Sequence, residues 1–203
     1  MSAFLGPIHF WIYEKILFQE KVTAMIADKA VANGWISDAR EFENKYVQKE
    51  LPELESVIDE SNIHGWLQGR INDAEKRYAQ MIDALLSKPE ENRADILKIA
   101  YIAGVNKAVP NGLSPDRVYK FLADTFVNGM PCDRVNYVTD SGDDFLIWTQ
   151  SRDIHGQYWE DTECGVGMYY LLREQIMRGM LENSEYILQT ISDDTWKIIR
   201  NGD

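Results

Sequence analysis

The chain has 203 residues, enough for one sizeable core or two small cores packed together, and 45% of it is hydrophobic, which excludes a disordered or low-complexity polymer. Its 33 Asp and Glu against 21 Lys and Arg leave a formal net charge of −12. That balance argues against nucleic acid, whose binding needs clustered cations, and against an anionic membrane surface. No apolar run approaches the ~20 residues that span a bilayer, Met1 to Pro7 carries no basic stretch of a secretory signal, and two cysteines, Cys132 and Cys164, make no disulfide framework. The expectation is a cytoplasmic protein with no nucleic-acid or membrane partner.

The first half reads as helices. Pro7 suits a first helical turn, and the pattern runs to Val31 before Asn33-Gly34 stops it. Its apolar residues nearly encircle the axis, which predicts packing on several sides. Asp38-Ala39-Arg40-Glu41 has capping-box spacing and opens a short polar helix to about Glu50. From Pro52 a helical pattern runs to about Leu86, and its apolar face changes near Ser61-Asn62, so a kink or two-sided burial is expected there. Ser87-Lys88-Pro89-Glu90 repeats the capping-box spacing and opens a helix to about Ala108.

The second half alternates helices and hairpins. A helix from Ser114-Pro115 to Gly129 precedes strands over Arg134–Thr139 and Asp144–Thr149. A helix from about Val166 to Leu181 precedes strands over Glu185–Thr190 and Thr195–Arg200. The two units align at an offset of 50: Tyr119 with Tyr169, Leu122 with Leu172, Gly129-Met130 with Gly179-Met180, Asp143-Asp144 with Asp193-Asp194. The expected architecture is α+β, a helical region over 1–112 packed on an αββαββ four-stranded antiparallel sheet region over 113–203 with both of its helices on one face.

The stretches "VTDSGDDFLIWTQSRD" and "ILQTISDDTWKIIR", in that order of elements, resemble the vinyl-four-reductase-type ligand-binding domains, the aminothiazoline-carboxylate hydrolase-like proteins and the sheet subdomain of haem–nitric-oxide sensors. The resemblance implies a ligand held between helical layer and sheet, and hydrolysis of a C–N bond in a small heterocycle or amide. The chain departs from the haem sensors, with no histidine between His64 and His155 and Thr149-Gln150-Ser151-Arg152 where a Tyr-x-Ser-x-Arg propionate clamp would stand. Trp196 occupies the closing hairpin where the hydrolase-like proteins tend to have a cysteine.

Three constellations carry candidate chemistry. His64, Gln68 and Glu75 fall within about 40° on a helix, at 100° per residue, with Trp66 and Tyr78 near and Gly65 and Gly69 on a neighbouring face. They read either as the polar wall of a pocket or as a solvated edge beside a close helix contact. His9, Tyr13 and Glu20 share a side of the first helix, either facing the first group across a pocket or as hydrogen-bonded core.

The third constellation is the seam between the repeat units, Asp153 to Glu160 followed by Cys164. There His155 is a candidate general base oriented by Glu160, Cys132 a candidate nucleophile, and Tyr158 and Trp159 candidate stacking surfaces, against the alternative of buried cysteines and a packing loop. No metal-ligand spacing or phosphate loop occurs, so neither metal nor cofactor is expected. The reading is a small-molecule-binding protein for an aromatic or partly apolar compound, in its catalytic form a hydrolase. Its alternative is a non-enzymatic interaction or regulatory protein acting as an obligate oligomer, a homodimer for example, or as a ligand sensor.

Overall fold

The computed structural model describes residues 4–87 and 91–202 and has the α+β architecture. Helix α1 (Pro7–Ala32) begins on its proline and stops at Asn33-Gly34, where Gly34 takes a φ of 71°. Helix α2 (Ala39–Tyr46) is capped by Asp38, whose side chain accepts from the Glu41 N–H at 2.9 Å, and it ends before the expected Glu50.

The long helix expected from Pro52 does not form as one piece. Two short 3-10 turns, Leu54–Ser56 and Glu60–Asn62, come first, and α3 runs from Ile63 to Leu86. The cause is local. Asp59 accepts from the Ser61 N–H at 2.9 Å and Asn62 from the Gly65 N–H at 3.2 Å, so side chains take the donors that a continuous helix would pair with carbonyls. The change of apolar face at Ser61-Asn62 is therefore a chain break and not a kink. Ser87 closes α3, while Lys88, Pro89 and Glu90 of the expected capping box lie outside the described residues. Helix α4 (Glu91–Val105) follows and ends short of Ala108.

After α5 (Pro115–Thr125), which stops short of Gly129, a 3-10 turn at Pro131–Asp133 leads into β1 (Asn136–Ser141) and β2 (Phe145–Gln150). The seam holds a one-turn helix, α6 (Gly156–Trp159), and then come α7 (Gly165–Leu181), β3 (Tyr186–Ser192) and β4 (Thr195–Arg200). The strands form one antiparallel sheet in the order β1-β2-β4-β3. Elements α7, β3 and β4 begin 50 residues after α5, β1 and β2, and the central β2–β4 pairing maps onto itself under that offset: Phe145 pairs with Ile199, and Thr149 with Thr195. Near the middle of the pairing Trp148 stacks on Trp196 at 6.1 Å. Both indoles point to the helix side, where Tyr119 of α5 lies 5.3 Å from Trp148 and Tyr170 of α7 lies 6.5 Å from Trp196, so both helices cover one face.

The main core draws on both halves. Val22, Ile26 and Ala30 of α1 and Tyr78, Ile82 and Leu85 of α3 join Leu122, Trp148, Leu172 and Ile198 in one apolar cluster. A smaller cluster, with Ile12, Ile16, Leu67 and Ile71, fills the space between the first halves of α1 and α3 and touches Val127. A gap remains between α3, the segment after α5 and the seam. No helix among the described residues is long and apolar enough to cross a membrane.

Candidate functional site

On α3 the helical period puts Gln68, Asn72 and Glu75 in a line, each three or four residues from the last. Glu75 stands beside Ala74 and Tyr78 of the apolar stripe and is carried into the core, where it is 1% exposed. The seam approaches it from the sheet side. Asp153 accepts from the backbone N–H groups of His155 and Gly156, turning the chain into α6, and the His155 ring is buried behind that turn. Burial works to raise the Asp153 carboxyl. The Tyr170 hydroxyl and the two N–H donors outweigh it and hold the group below its ordinary value.

The His155 ring has both nitrogens engaged. Its Nδ1 lies 3.2 Å from Glu75 Oε1, and its Nε2 lies 3.0 Å from the Tyr169 hydroxyl. Burial, with the Glu75 charge adding to it, pushes the Tyr169 hydroxyl far above its ordinary value, so Tyr169 keeps its proton and donates. The order of the contacts is then Tyr169 O–H to His155 Nε2 and His155 Nδ1–H to Glu75 Oε1. One carboxyl oxygen of Glu75 is held. The other, Oε2, is buried and has no hydrogen-bond partner among the described residues.

Glu75 lines a pocket of about 270 Å³ between α3, the segment after α5, and the seam. Gln68, His155 and Tyr158 line it too, with Asp133, Arg152 and Gln157. The opposite wall is closed by an ion pair, Arg152 Nη2 to Asp133 Oδ1 at 2.8 Å. Gln68 donates its amide N–H to Asn72 Oδ1 at 3.0 Å, and Tyr158 donates its hydroxyl to the same oxygen at 2.6 Å, so the two side chains are fixed by one acceptor.

Of the residues singled out from the sequence, Gln68, Glu75, His155 and Tyr158 meet in this pocket, and Cys132, Glu160, Trp159 and Cys164 stand elsewhere. The carboxylate beside His155 is Glu75 and not Glu160, which is exposed where α6 ends. Cys132 is exposed in the 3-10 turn, and neither it nor Glu160 has a hydrogen bond with His155 among the described residues. His155 itself has no free nitrogen with which to act as a base.

Trp159 is 1% exposed and stands edge-on to Tyr78 at 6.1 Å, a core side chain with no face left for a ligand. Cys164 caps α7. Its N–H donates to Asp83 at 3.2 Å, and burial pushes its thiol up, away from the reactive thiolate.

The rows on α1 and α3 do face each other, as packed rings away from the pocket. His9 lies 5.6 Å from His64, and Tyr13 lies 5.9 Å from Trp66. His9 accepts from the Gly6 N–H at 2.9 Å, Tyr13 donates to the Pro52 carbonyl at 2.9 Å, and His64 is exposed. Glu20 pairs with Arg77. Gly69 has nothing within 4 Å of where a Cβ would be, and Gly65 faces the Asn62 cap, so neither serves a close helix contact.

Sequence reasoning puts Glu75 on the face of Gln68, as pocket wall or solvated edge, but does not pair it with His155. Its signal was a carboxylate next to a strictly periodic apolar stripe. Tyr169 was read only as a repeat position. Among the described residues no group of three or more His, Cys, Asp and Glu side chains is placed to hold a metal ion. Chemically, the arrangement offers an acceptor or a base, Glu75, positioned by His155 on the wall of a polar cavity. Comparison with known protein families, with curated proteins and with solved structures finds no match for this chain.

Proposed function

We propose that the protein binds a small polar molecule in the pocket between α3 and the seam. The observation that carries this reading is Glu75, a buried residue on the wall of the cavity with one carboxyl oxygen beside His155 and the other left without a hydrogen-bond partner among the described residues. Leaving such a group unpaired costs stability, and proteins retain that cost at sites that act on a ligand. The polar walls favour a smaller and more polar ligand than the aromatic compound expected from Trp66, Tyr158 and Trp159.

A thermal-shift screen against polar metabolites tests it. A hit should vanish in Gln68→Ala and persist in His64→Ala, because Gln68 lines the pocket and His64 does not. At ~100 times its dissociation constant a ligand adds about 2.7 kcal/mol, a shift of a few degrees for a chain of this size. Flat curves throughout would favour the interaction-protein reading instead.

A hydrolytic version of the same reading rests on the free Glu75 oxygen. Glu75, not Cys132, would take the proton from a water adding to an amide-like carbon and return it to the leaving nitrogen. Release of amine from a bound amide, lost in Glu75→Gln while binding continues, supports it; binding without turnover removes it.

A further inference from the structure

The sheet has a face that α5 and α7 do not cover. Both helices lie against the side that holds Trp148 and Trp196. Alternation sends the neighbours of those residues to the other side: Phe145, Ile147 and Thr149 of β2, and Thr195, Lys197 and Ile199 of β4. Cross-strand pairing extends that side to Tyr137 and Asp140 on β1 and to Ile187 and Gln189 on β3. An antiparallel sheet with one face in water carries polar residues there. This face carries Tyr137, Phe145, Ile147, Ile187 and Ile199, and Tyr137 and Ile187 are 50% and 42% exposed. A contiguous apolar patch among polar residues marks an interaction surface.

The charges on the face define what it meets. Asp140, Ile147 and Lys197 form one row across β1, β2 and β4. The Lys197 ammonium rests 4.8 Å from the centre of the Phe145 ring, and the Asp140 carboxylate accepts from the Ser141 N–H at 2.8 Å. Neither is in an ion pair among the described residues. The opposite charges therefore stand one strand to either side of Ile147. A two-fold axis along β2, midway between two stacked copies, exchanges those sides. Ile147 then meets Ile147, Phe145 meets Phe145, and each Lys197 faces the Asp140 of the other copy. Stacked sheets lie about 10 Å apart, a gap that a lysine and an aspartate span together.

We propose that this face pairs two copies of the chain, sheet on sheet about a two-fold axis over β2, with reciprocal Lys197–Asp140 ion pairs flanking the Ile147 contact. A two-fold dimer requires one patch to be complementary to itself, and this row has that property. Four short strands make a small interface, so the dimer is reversible and not obligate. None of the residues that line the pocket is on this face, so the proposal is independent of the pocket reading.

Sedimentation velocity on the full chain tests it, from micromolar to near-millimolar protein at physiological salt, where the charge of −12 on each copy is screened. The mass should rise toward that of two chains. Ile147→Lys, at a half-buried position where a long side chain reaches water, should leave a monomer throughout. Lys197→Glu and Asp140→Lys each set like charges opposite one another twice in the dimer, and each should weaken it at least about tenfold. The double variant Lys197→Glu with Asp140→Lys restores opposite charges and should recover most of the loss, which a variant that merely failed to fold would not do.

A chain that stays monomeric at every concentration overturns the proposal and leaves the face to a different partner. A dimer that survives Ile147→Lys has its contact elsewhere and overturns it as well. Charge reversals that have no effect, or that weaken the dimer without recovery in the double variant, overturn the two-fold arrangement.

Discussion

Two helix pairs in this molecule cross in opposite ways. Helices α4 and α7 meet backbone to backbone. A Cβ on Gly104 would lie 2.0 Å from the Ile176 carbonyl oxygen, and one on Gly179 would lie 2.0 Å from that of Tyr101, so each helix gives up a side chain where the other passes. Helices α1 and α3 meet through side chains: Ile12, Ile16, Leu67 and Ile71 pack between them, and large polar or aromatic pairs run alongside, His9 against His64, Tyr13 against Trp66, Glu20 against Arg77. Gln19 Nε2, Glu20 Oε2 and Tyr78 Oη are left without partners there among the described residues. The first crossing is closed to any ligand. The second leaves polar atoms unpaired, and on another face of α3 Glu75 turns to the seam and lines the pocket.

The closed crossing should break hardest. Gly104→Ala or Gly179→Ala forces the helices apart, because the obstacle is backbone and cannot rotate away. Each should cost about 3 kcal/mol or more, at the upper end of overpacking effects. The two together should cost less than their sum, since one displacement relieves both clashes. Urea denaturation of the three variants measures this, and strict additivity would mean that the glycines do not share a crossing.

A second effect belongs to the side of α1 that faces α5 and depends on pH. Lys15 of α1 is buried beside α5, donating to the Ala123 carbonyl at 2.8 Å with its ammonium 3.6 Å from the Trp11 ring. Burial, only partly offset by Asp124 and reinforced by Arg173 and Lys120, lowers its pKa to about 8 from 10.5. Below pH 8 the folded state bears the full cost of a buried charge. Between pH 8 and about 10 the folded protein releases that proton while the unfolded chain keeps its own, so stability rises with pH, by on the order of 3 kcal/mol in total. Lys15→Met should flatten the rise. Buried tyrosines such as Tyr169, whose hydroxyls are pushed up, begin to oppose it only above pH 10, where the unfolded chain ionises. Melting temperatures at pH 7.5, 8.5 and 9.5 separate the two effects; a level or falling curve for the parent protein would contradict the assignment.

The sequence made the elements of the second half legible because its signals are local: β2 and β4 stand where alternation and the Ser141–Asp144 and Ser192–Asp194 turns put them, in the expected antiparallel sheet. The break before α3 was misjudged because the competing signal was two side chains, Asp59 and Asn62, each bonding a nearby N–H group. The site was half legible. Gln68, His155 and Tyr158 stood out as polar or aromatic residues at odd positions, but the partner of His155 comes from 80 residues earlier in the chain, and no local pattern encodes a pairing of that range. Glu160 was the local choice and Glu75 the actual one. Trp159 shows the converse error: an aromatic in a loop looks like a ligand platform until the loop proves to be a helical turn pressed into the core.

The mildest prediction puts the glycine contrast on one substitution. Gly69, on α3, was expected to admit a neighbouring helix, yet no atom lies within 4 Å of its absent Cβ. In a helix interior glycine is about 1 kcal/mol worse than alanine, because the unfolded chain gains more freedom from it. Gly69→Ala should therefore stabilise the protein by up to about 1 kcal/mol, opposite in sign to the same change at Gly104 or Gly179. Position 69 is next to Gln68, so the variant also reports on the pocket: a gain in denaturation midpoint with unchanged binding of a hit from the thermal-shift screen means that the glycine serves neither packing nor ligand. A gain in stability with lost binding would mean instead that the ligand passes over the bare backbone at residue 69, giving α3 a second reason to carry glycine one residue after Gln68.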